Sequence, residues 1–361
     1  MNSDSSHLLE NTKVVVFGGT GSLGQKLVQR ILAGECGIPK KLVIISRDEA
    51  KQYQMKIDLE HQNQASTQDI IYKKGLSPVE FVIGDIRDYT SVQNVLNGAD
   101  YVFSTAALKQ VPTCEYFPFE AVKTNCIGMQ NIISAVKQGS YPVKMVLGIS
   151  TDKACKPVNV MGMTKALQER MLVQANLDNS KGTRFGAVRY GNVVASRGSV
   201  VPLFAEQISR GGPVTVTTET MTRFLLTLDQ AVDTIFASVR SGTPGDIYVP
   251  IIPSARIIDV ARAIIDDNDI QIKVTGIRPG EKEHEIMISE EESYRTIKRD
   301  GYYVILPMLP ELQPPSIETA LKGGVEYSSS VVTMEKGDIL KMLRDNKLLP
   351  AKTEAAMKVL K

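Results

Sequence analysis

The segment STDKACKPVNVMGMTK, residues 150–165, sets a carboxyl and an amine side by side at Asp152 and Lys153, behind the hydroxyl of Thr151 and directly after the apolar run VKMVLGIS. At the carboxyl end of a strand, such neighbours are candidates for the acid and the base of a proton transfer. The plainer alternative is a surface ion pair in a loop; the place immediately after an apolar strand favours chemistry. To act as a base near neutral pH, a lysine must fall about three units from its ordinary value near 10.4, roughly 4 kcal/mol of environmental work. A carboxyl acting as an acid must rise instead, which burial promotes. Lys165 follows Met161 by four residues, so on a helix the two share a face. A second ammonium there would push Lys153 downward. Met161 cannot carry a proton, and its thioether is only a weak acceptor. On a helix of an α/β chain a methionine is ordinarily core packing.

A second chemical pattern lies near the start. VVVFGGTGSLGQKLV, residues 14–28, reads as strand, glycine turn and helix, with Gly18, Gly21 and Gly24 spaced G-x-x-G-x-x-G around Thr20, Ser22 and Leu23. A turn without side chains lets backbone N–H groups close on a pyrophosphate at a helix N-terminus. About 20 positions on, where a ribose-reading carboxylate would stand, VIISRDE offers Ser46 and Arg47. A hydroxyl and a guanidinium suit a 2′-phosphate, so NADP is expected rather than NAD; Arg47 as a solvated loop charge is the alternative. Asp85 and Ile86 in IGDIRD could receive the adenine amine and cover its ring. Ala106 and Ala107 in STAALKQVP are small enough for a nicotinamide ribose to approach the backbone, and Lys109 follows them.

Positioning these groups requires a scaffold. Apolar strand-like runs (KVVVFGG, KLVIIS, VEFVIGD, ADYVFSTAA, VKMVLGIS) alternate with helical patterns, including residues 23–33 and 119–138. Strands of this kind separated by helices predict a parallel α/β sheet of Rossmann type, covered on both faces. After TRFGAVRYGNVV, glycine and proline become frequent and segments shorten, which predicts a smaller, loop-rich lobe over the carboxyl edge of the sheet. The expected division is a dinucleotide-binding domain over 13–192 to which some later segments return, a substrate lobe mainly over 193–330, and a helical tail over 331–361 broken near Pro350. With 42 basic and 40 acidic residues and no long run of one sign, nucleic acid and anionic membranes have little support as partners. Cys36, Cys114, Cys126 and Cys155 lie far apart, which favours buried apolar cysteines over a metal site and a reducing cytoplasm over export. No apolar run reaches the ~18 residues of a membrane span.

ALKQVP, EAVKTN, STDKA, GMTK, RYGNVVASRGSVVPLF, MTRFLLT and IRPGEKEHE follow one another in an order that resembles the soluble UDP-N-acetylglucosamine 4,6-dehydratases of the extended short-chain dehydrogenase/reductase superfamily. The resemblance covers about residues 13–290, and beyond Ser293 no motif falls into place. It implies bound NADP, a UDP-N-acetylglucosamine or closely related substrate, a role in surface-glycan precursors and a homo-oligomer. The implied reaction oxidises C4, removes water across C5 and C6, and returns the hydride to C6. Lys153 is then the C5 base, Asp152 the acid for the C6 hydroxyl, and Thr151 the holder of the C4 oxygen. Lys165 binds the nicotinamide ribose, and Met161 occupies the position where most of the superfamily carries tyrosine. Asn125, Tyr190 and Asn192 join the cofactor set, while Lys109, Asn192, Arg197, Arg223, Arg278 and Glu281 form the substrate clamp. Because Met161 cannot take the C4 proton, Thr151 through water or Asp152 directly is left to do so. The segments CEYFPFEAVKTN, YGNVVASRGSVVPLF and MTRFLLT lean toward inversion at C5, and VNVMG toward retention. A sugar-nucleotide 4-epimerase and a non-catalytic NADP sensor are the competing readings.

Overall fold

A computed structural model describes residues 7–64, 78–141, 143–177, 179–194, 200–266, 269–346 and 348. Six parallel strands come from the apolar runs: β1 (Lys13–Phe17), β2 (Lys41–Ser46), β3 (Val79–Ile83), β4 (Tyr101–Ser104), β5 (Met145–Ile149) and β6 (Arg184–Val188). They lie in the order β3-β2-β1-β4-β5-β6. Most residues of β1, β2, β4, β5 and β6 are buried on both faces, as near-continuous Val, Ile and Leu runs require. The strand order reverses between β1 and β4, which opens a crevice at their carboxyl ends.

The sheet is mixed, not wholly parallel. Strand Ile247–Pro250 pairs parallel to β6 and antiparallel to Tyr302–Ile305, which forms a hairpin with the edge strand Thr296–Arg299. Its turn is Asp300-Gly301, both in the left-handed region at φ 49° and 83°. Aspartate tolerates that region and glycine adopts it freely, so this dipeptide closes a two-residue hairpin.

Helix Ser22–Leu32 lays Leu27, Val28 and Ile31 on the sheet, and its bounds agree with the 3.6-residue pattern to within one position. The predicted helix over 119–138 is interrupted: Pro118–Ala121 passes through a π-helical turn at Val122–Ile127 before Gly128–Gln138. Away from the main sheet, a second apolar core joins Phe204, Val214, Ala255, Ile264, Ile339 and Leu343. Helix Lys336–Asp345 supplies the last two, so the first part of the tail packs on this lobe. The expected break near Pro350 and the piece beyond it lie outside the described residues. All four cysteines are buried and unbridged. No helix among the described residues is long and apolar enough to cross a membrane.

Candidate active site

The glycine turn follows β1 at the crevice. Gly18 has φ 76°, and a Cβ there would stand 2.6 Å from the Ala106 nitrogen, so the turn closes against the chain leaving β4 only without a side chain. Gly21 N–H donates to Gly18 O at 3.0 Å, and Gly21 heads helix Ser22–Leu32 with no side-chain cap. First-turn N–H groups are therefore left for an anion. Thr20 is buried, Ser22 and Leu23 half-buried. At the other end of the trough, Ser46 Oγ accepts from Gln52 Nε2 at 3.0 Å, and the exposed Arg47 lies 3.8 Å from Asp85 Oδ2. Arg87 reaches the same oxygen at 2.8 Å through Nε and Glu120 at 2.8 Å through Nη1. The buried Ile86 packs against Gly128. Ala106 and Ala107 are half-buried and Lys109 exposed. A capless helix start and a tight glycine turn at the crevice fit the pyrophosphate of a dinucleotide.

Beyond β5 the chain continues with Ser150 N–H donating to Val188 O at 2.7 Å and Asp152 N–H to Tyr190 O at 3.1 Å. Residues 152–154 form one 3₁₀ turn capped by Thr151. Asp152 is wholly buried; its Oδ1 accepts from Thr151 Oγ1 at 2.8 Å and from Lys153 Nζ at 3.1 Å, and its Oδ2 has no partner. Burial pushes the Asp152 carboxyl above its ordinary range against the pull of Lys153, and the nearby Glu285 adds to the rise. Lys153 Nζ also reaches Asn192 Oδ1 at 3.2 Å and Glu285 Oε1 at 2.9 Å. Burial would lower this amine, but Asp152 and Glu285 together outweigh it and hold Lys153 above the usual lysine value. The direction is opposite to the sequence expectation, which had counted the ammonium of Lys165 and missed the second carboxylate.

Helix Val160–Gln174 can lie against this turn because position 162 is glycine: a Cβ there would meet the Lys153 carbonyl oxygen at 2.2 Å. One turn on, the buried Lys165 Nζ donates to Ile149 O and Gln168 Oε1, each at 2.8 Å, and burial brings its pKa down to about 8. Met161 is 5% exposed and packs with Cys114 and Ala121 against Leu108, Val111 and Val160. It fills a small apolar cluster, the packing role methionine usually has.

Residues 14–307 match the model of a family described as polysaccharide biosynthesis protein. The chain belongs to that family. A relative named UDP-glucose 4-epimerase from Rickettsia typhi is 40% identical over 296 residues, 81% of this chain and 82% of the relative. The structure of Pen from Bacillus thuringiensis aligns with a TM-score of 0.82 at 31% identity, covering 94% of this chain and 99% of that one. DesIV, a dTDP-glucose 4,6-dehydratase of Streptomyces venezuelae solved with NAD, aligns at 0.62 and 18% identity over 75% of this chain and 86% of its own. The architecture is thus that of the extended short-chain dehydrogenase/reductases.

Thr151, Asp152, Lys153 and Asn192 form one bonded cluster, with Lys165 at the end of β5. Tyr190 is buried, which raises its hydroxyl pKa. Asn125 is buried in the π-helical turn, where its amide bonds both backbone groups of Leu108 and the Thr164 hydroxyl, so it shapes the chain after Ala107. Arg223 is spent on carbonyls: Nη1 donates to Thr222 O at 2.7 Å and Nη2 to Lys282 O at 3.0 Å. Arg278 is exposed and 3.8 Å from Glu281, whose Oε2 is buried without a partner. Arg197 lies outside the described residues. Sequence reasoning overlooked Glu285, although IRPGEKEHE contains it, and Arg87 in IGDIRD.

Proposed function

We propose that this protein is a cytoplasmic, NADP-dependent UDP-N-acetylglucosamine 4,6-dehydratase that inverts C5. The observation that carries the reading is the buried acid and amine after β5: Asp152, fully buried with one oxygen unpartnered, beside Lys153 at 3.1 Å. A hydride shuttle alone does not call for a buried carboxyl biased toward its protonated form, whereas loss of the C6 hydroxyl does. Gly18, Gly21 and the start of helix Ser22–Leu32 would hold the pyrophosphate, with Arg47 and Arg87 at the 2′-phosphate end. There a bound dinucleotide would supply the acceptance of hydride from C4 and its return to C6.

The chain supplies the proton work. Thr151, bonded to Asp152 Oδ1, can pass the C4 hydroxyl proton to that carboxylate, which removes the need for a tyrosine at position 161. Asp152 then returns the proton to the departing C6 hydroxyl, and water leaves. Lys153 rests as an ammonium between Asp152 and Glu285, so it takes the C5 proton only after releasing one to solvent, and a solvent-derived proton then reaches the opposite face of C5, which inverts it. Atoms balance, because the water carries away the C4 hydroxyl proton with the C6 oxygen.

Incubation of the purified protein with UDP-N-acetylglucosamine in deuterated water, followed by NMR of the product, tests this. The expected product is the 4-keto-6-deoxy sugar nucleotide with deuterium at C5 and inverted configuration there. The relative named UDP-glucose 4-epimerase favours a second reading, in which the product keeps its C6 hydroxyl and differs only at C4. Appearance of that product alone defeats the dehydratase.

A further inference from the structure

The cluster at Lys153 holds one carboxylate more than the proposed reaction uses. Glu285 is 2% exposed, with Oε1 2.9 Å from Lys153 Nζ and 3.6 Å from Arg223 Nε, while Oε2 is buried without a partner. Its backbone is pinned from another segment: Glu285 N–H donates to Ser329 Oγ at 2.9 Å and Ser329 N–H to Glu285 O at 2.8 Å. Ser329 Oγ in turn lies 2.8 Å from Thr222 Oγ1. The carboxylate is therefore delivered to Lys153 at a fixed place by a segment 132 residues away in sequence.

One ammonium between two buried carboxylates cannot stabilise both as anions equally, so one of them holds protons more readily. The surroundings decide which. Glu285 faces Lys153, Arg223 and Lys282, three cations, and its carboxyl is held below its ordinary value although burial pushes it up. Asp152 has Lys153 as its main cation, with a lesser pull from Lys282, and Glu285 as a like charge. Around Lys153 itself stand Asp152, Glu285 and Arg223, with the neutral Asn192. We propose that Glu285 is a positioning residue, the fixed counter-ion of Lys153, which holds the amine between the two carboxylates and leaves Asp152 as the one that carries the proton. The inference deepens the dehydratase reading and takes its roles for Asp152 and Lys153 from it.

The test is a ¹³Cε NMR titration of lysine in the whole protein, with Lys153 assigned by its absence in Lys153→Arg. In the wild type the Lys153 midpoint lies above the ordinary lysine value. In Glu285→Gln, which keeps the shape and removes the charge, it moves down by about one pH unit or more, the scale of one adjacent charge. A merely structural glutamate would leave that midpoint unmoved, and an unmoved midpoint in folded Glu285→Gln overturns the proposal. If Glu285→Gln does not fold, the wild type decides: a Lys153 midpoint at or below the ordinary value overturns the proposal equally. Turnover of UDP-N-acetylglucosamine separates the two claims. A lowered midpoint in a protein that forms no 4-keto product keeps the counter-ion and discards the dehydratase. A 4-keto product with an unmoved midpoint does the reverse.

Discussion

Two buried ionic clusters gather near the carboxyl ends of β5 and β6, and they are built to different standards. In one, Arg189 binds Glu169 through Nε at 2.9 Å and Nη2 at 2.5 Å, and Glu292 through Nη1 at 2.7 Å and Nη2 at 3.0 Å. Ser150 Oγ adds to Glu169, and the Ser289 N–H to Glu292. Every carboxylate oxygen of this triad is satisfied, and the arginine fork also takes the Met287 carbonyl. In the other, Lys153 lies between Asp152 and Glu285, and one oxygen of each carboxylate is buried with no partner. An unsatisfied buried oxygen costs about 1–3 kcal/mol, so folding alone gives no reason for such a pair. The first cluster ties β6, helix Val160–Gln174 and the Glu290–Ser293 turn into one frame. The second, built on that frame, leaves acceptors open where the proposed chemistry needs them.

The sharpest way to break this contrast is to damage each cluster once. Asp152→Asn should lower kcat roughly a thousandfold, the weight of a general acid, while the urea midpoint stays level or rises because a poorly satisfied charge is gone. Arg189→Leu should do the reverse to stability: it strands two buried carboxylates and costs about 3–5 kcal/mol in urea denaturation. Equal loss of stability in both variants would mean that the Lys153 cluster is as structural as the Arg189 triad.

Acid gives a gentler probe of the same difference. Burial would raise the Glu292 carboxyl, but Arg189 and its hydrogen bonds bring it down to about 2. Its folded value is below the unfolded one, so its contribution is complete above the ordinary carboxylate pKa and is lost as pH falls from there toward 2. The loss is roughly 3 kcal/mol. Asp152 has the opposite sign, since its raised carboxyl costs stability when ionised and the cost fades as pH falls. Denaturation midpoints between pH 5 and 2.5 should therefore decline less steeply in Glu292→Gln than in the wild type; parallel curves would remove Glu292 from the account.

Local patterns in the sequence foretell much of this arrangement. β1, β2, β4 and β5 follow from unbroken apolar runs, and the glycine turn from its spacing after the first of them. The edge hairpin was readable too, because TIKRDGYYVI sets an Asp-Gly pair between β-branched and aromatic residues, but the segment carries no family motif and went unplaced. Other features were out of reach for a physical reason. The rise of the Lys153 pKa depends on Glu285, brought 2.9 Å away by tertiary folding, and no local spacing encodes that distance. The same holds for Arg223, which looks like a ligand clamp in MTRFLLT but uses its donors on the carbonyls of residues 222, 282 and 283.

Met161 provides the smallest and most selective test. Its side chain lies in an apolar cluster with Cys114 and Ala121, apart from the bonded groups around Lys153. Met161→Leu nearly conserves volume and adds no polar atom, so stability should change by less than about 1.5 kcal/mol. If the C4 proton travels through Thr151 and Asp152, kcat should stay within about twofold of wild type and its pH dependence should not move. Methionine and leucine share the apolar filling role but differ at the sulfur. A large fall in kcat with unchanged stability would therefore bring the thioether into the chemistry and widen the reactive cluster beyond the Asp152–Lys153–Glu285 group.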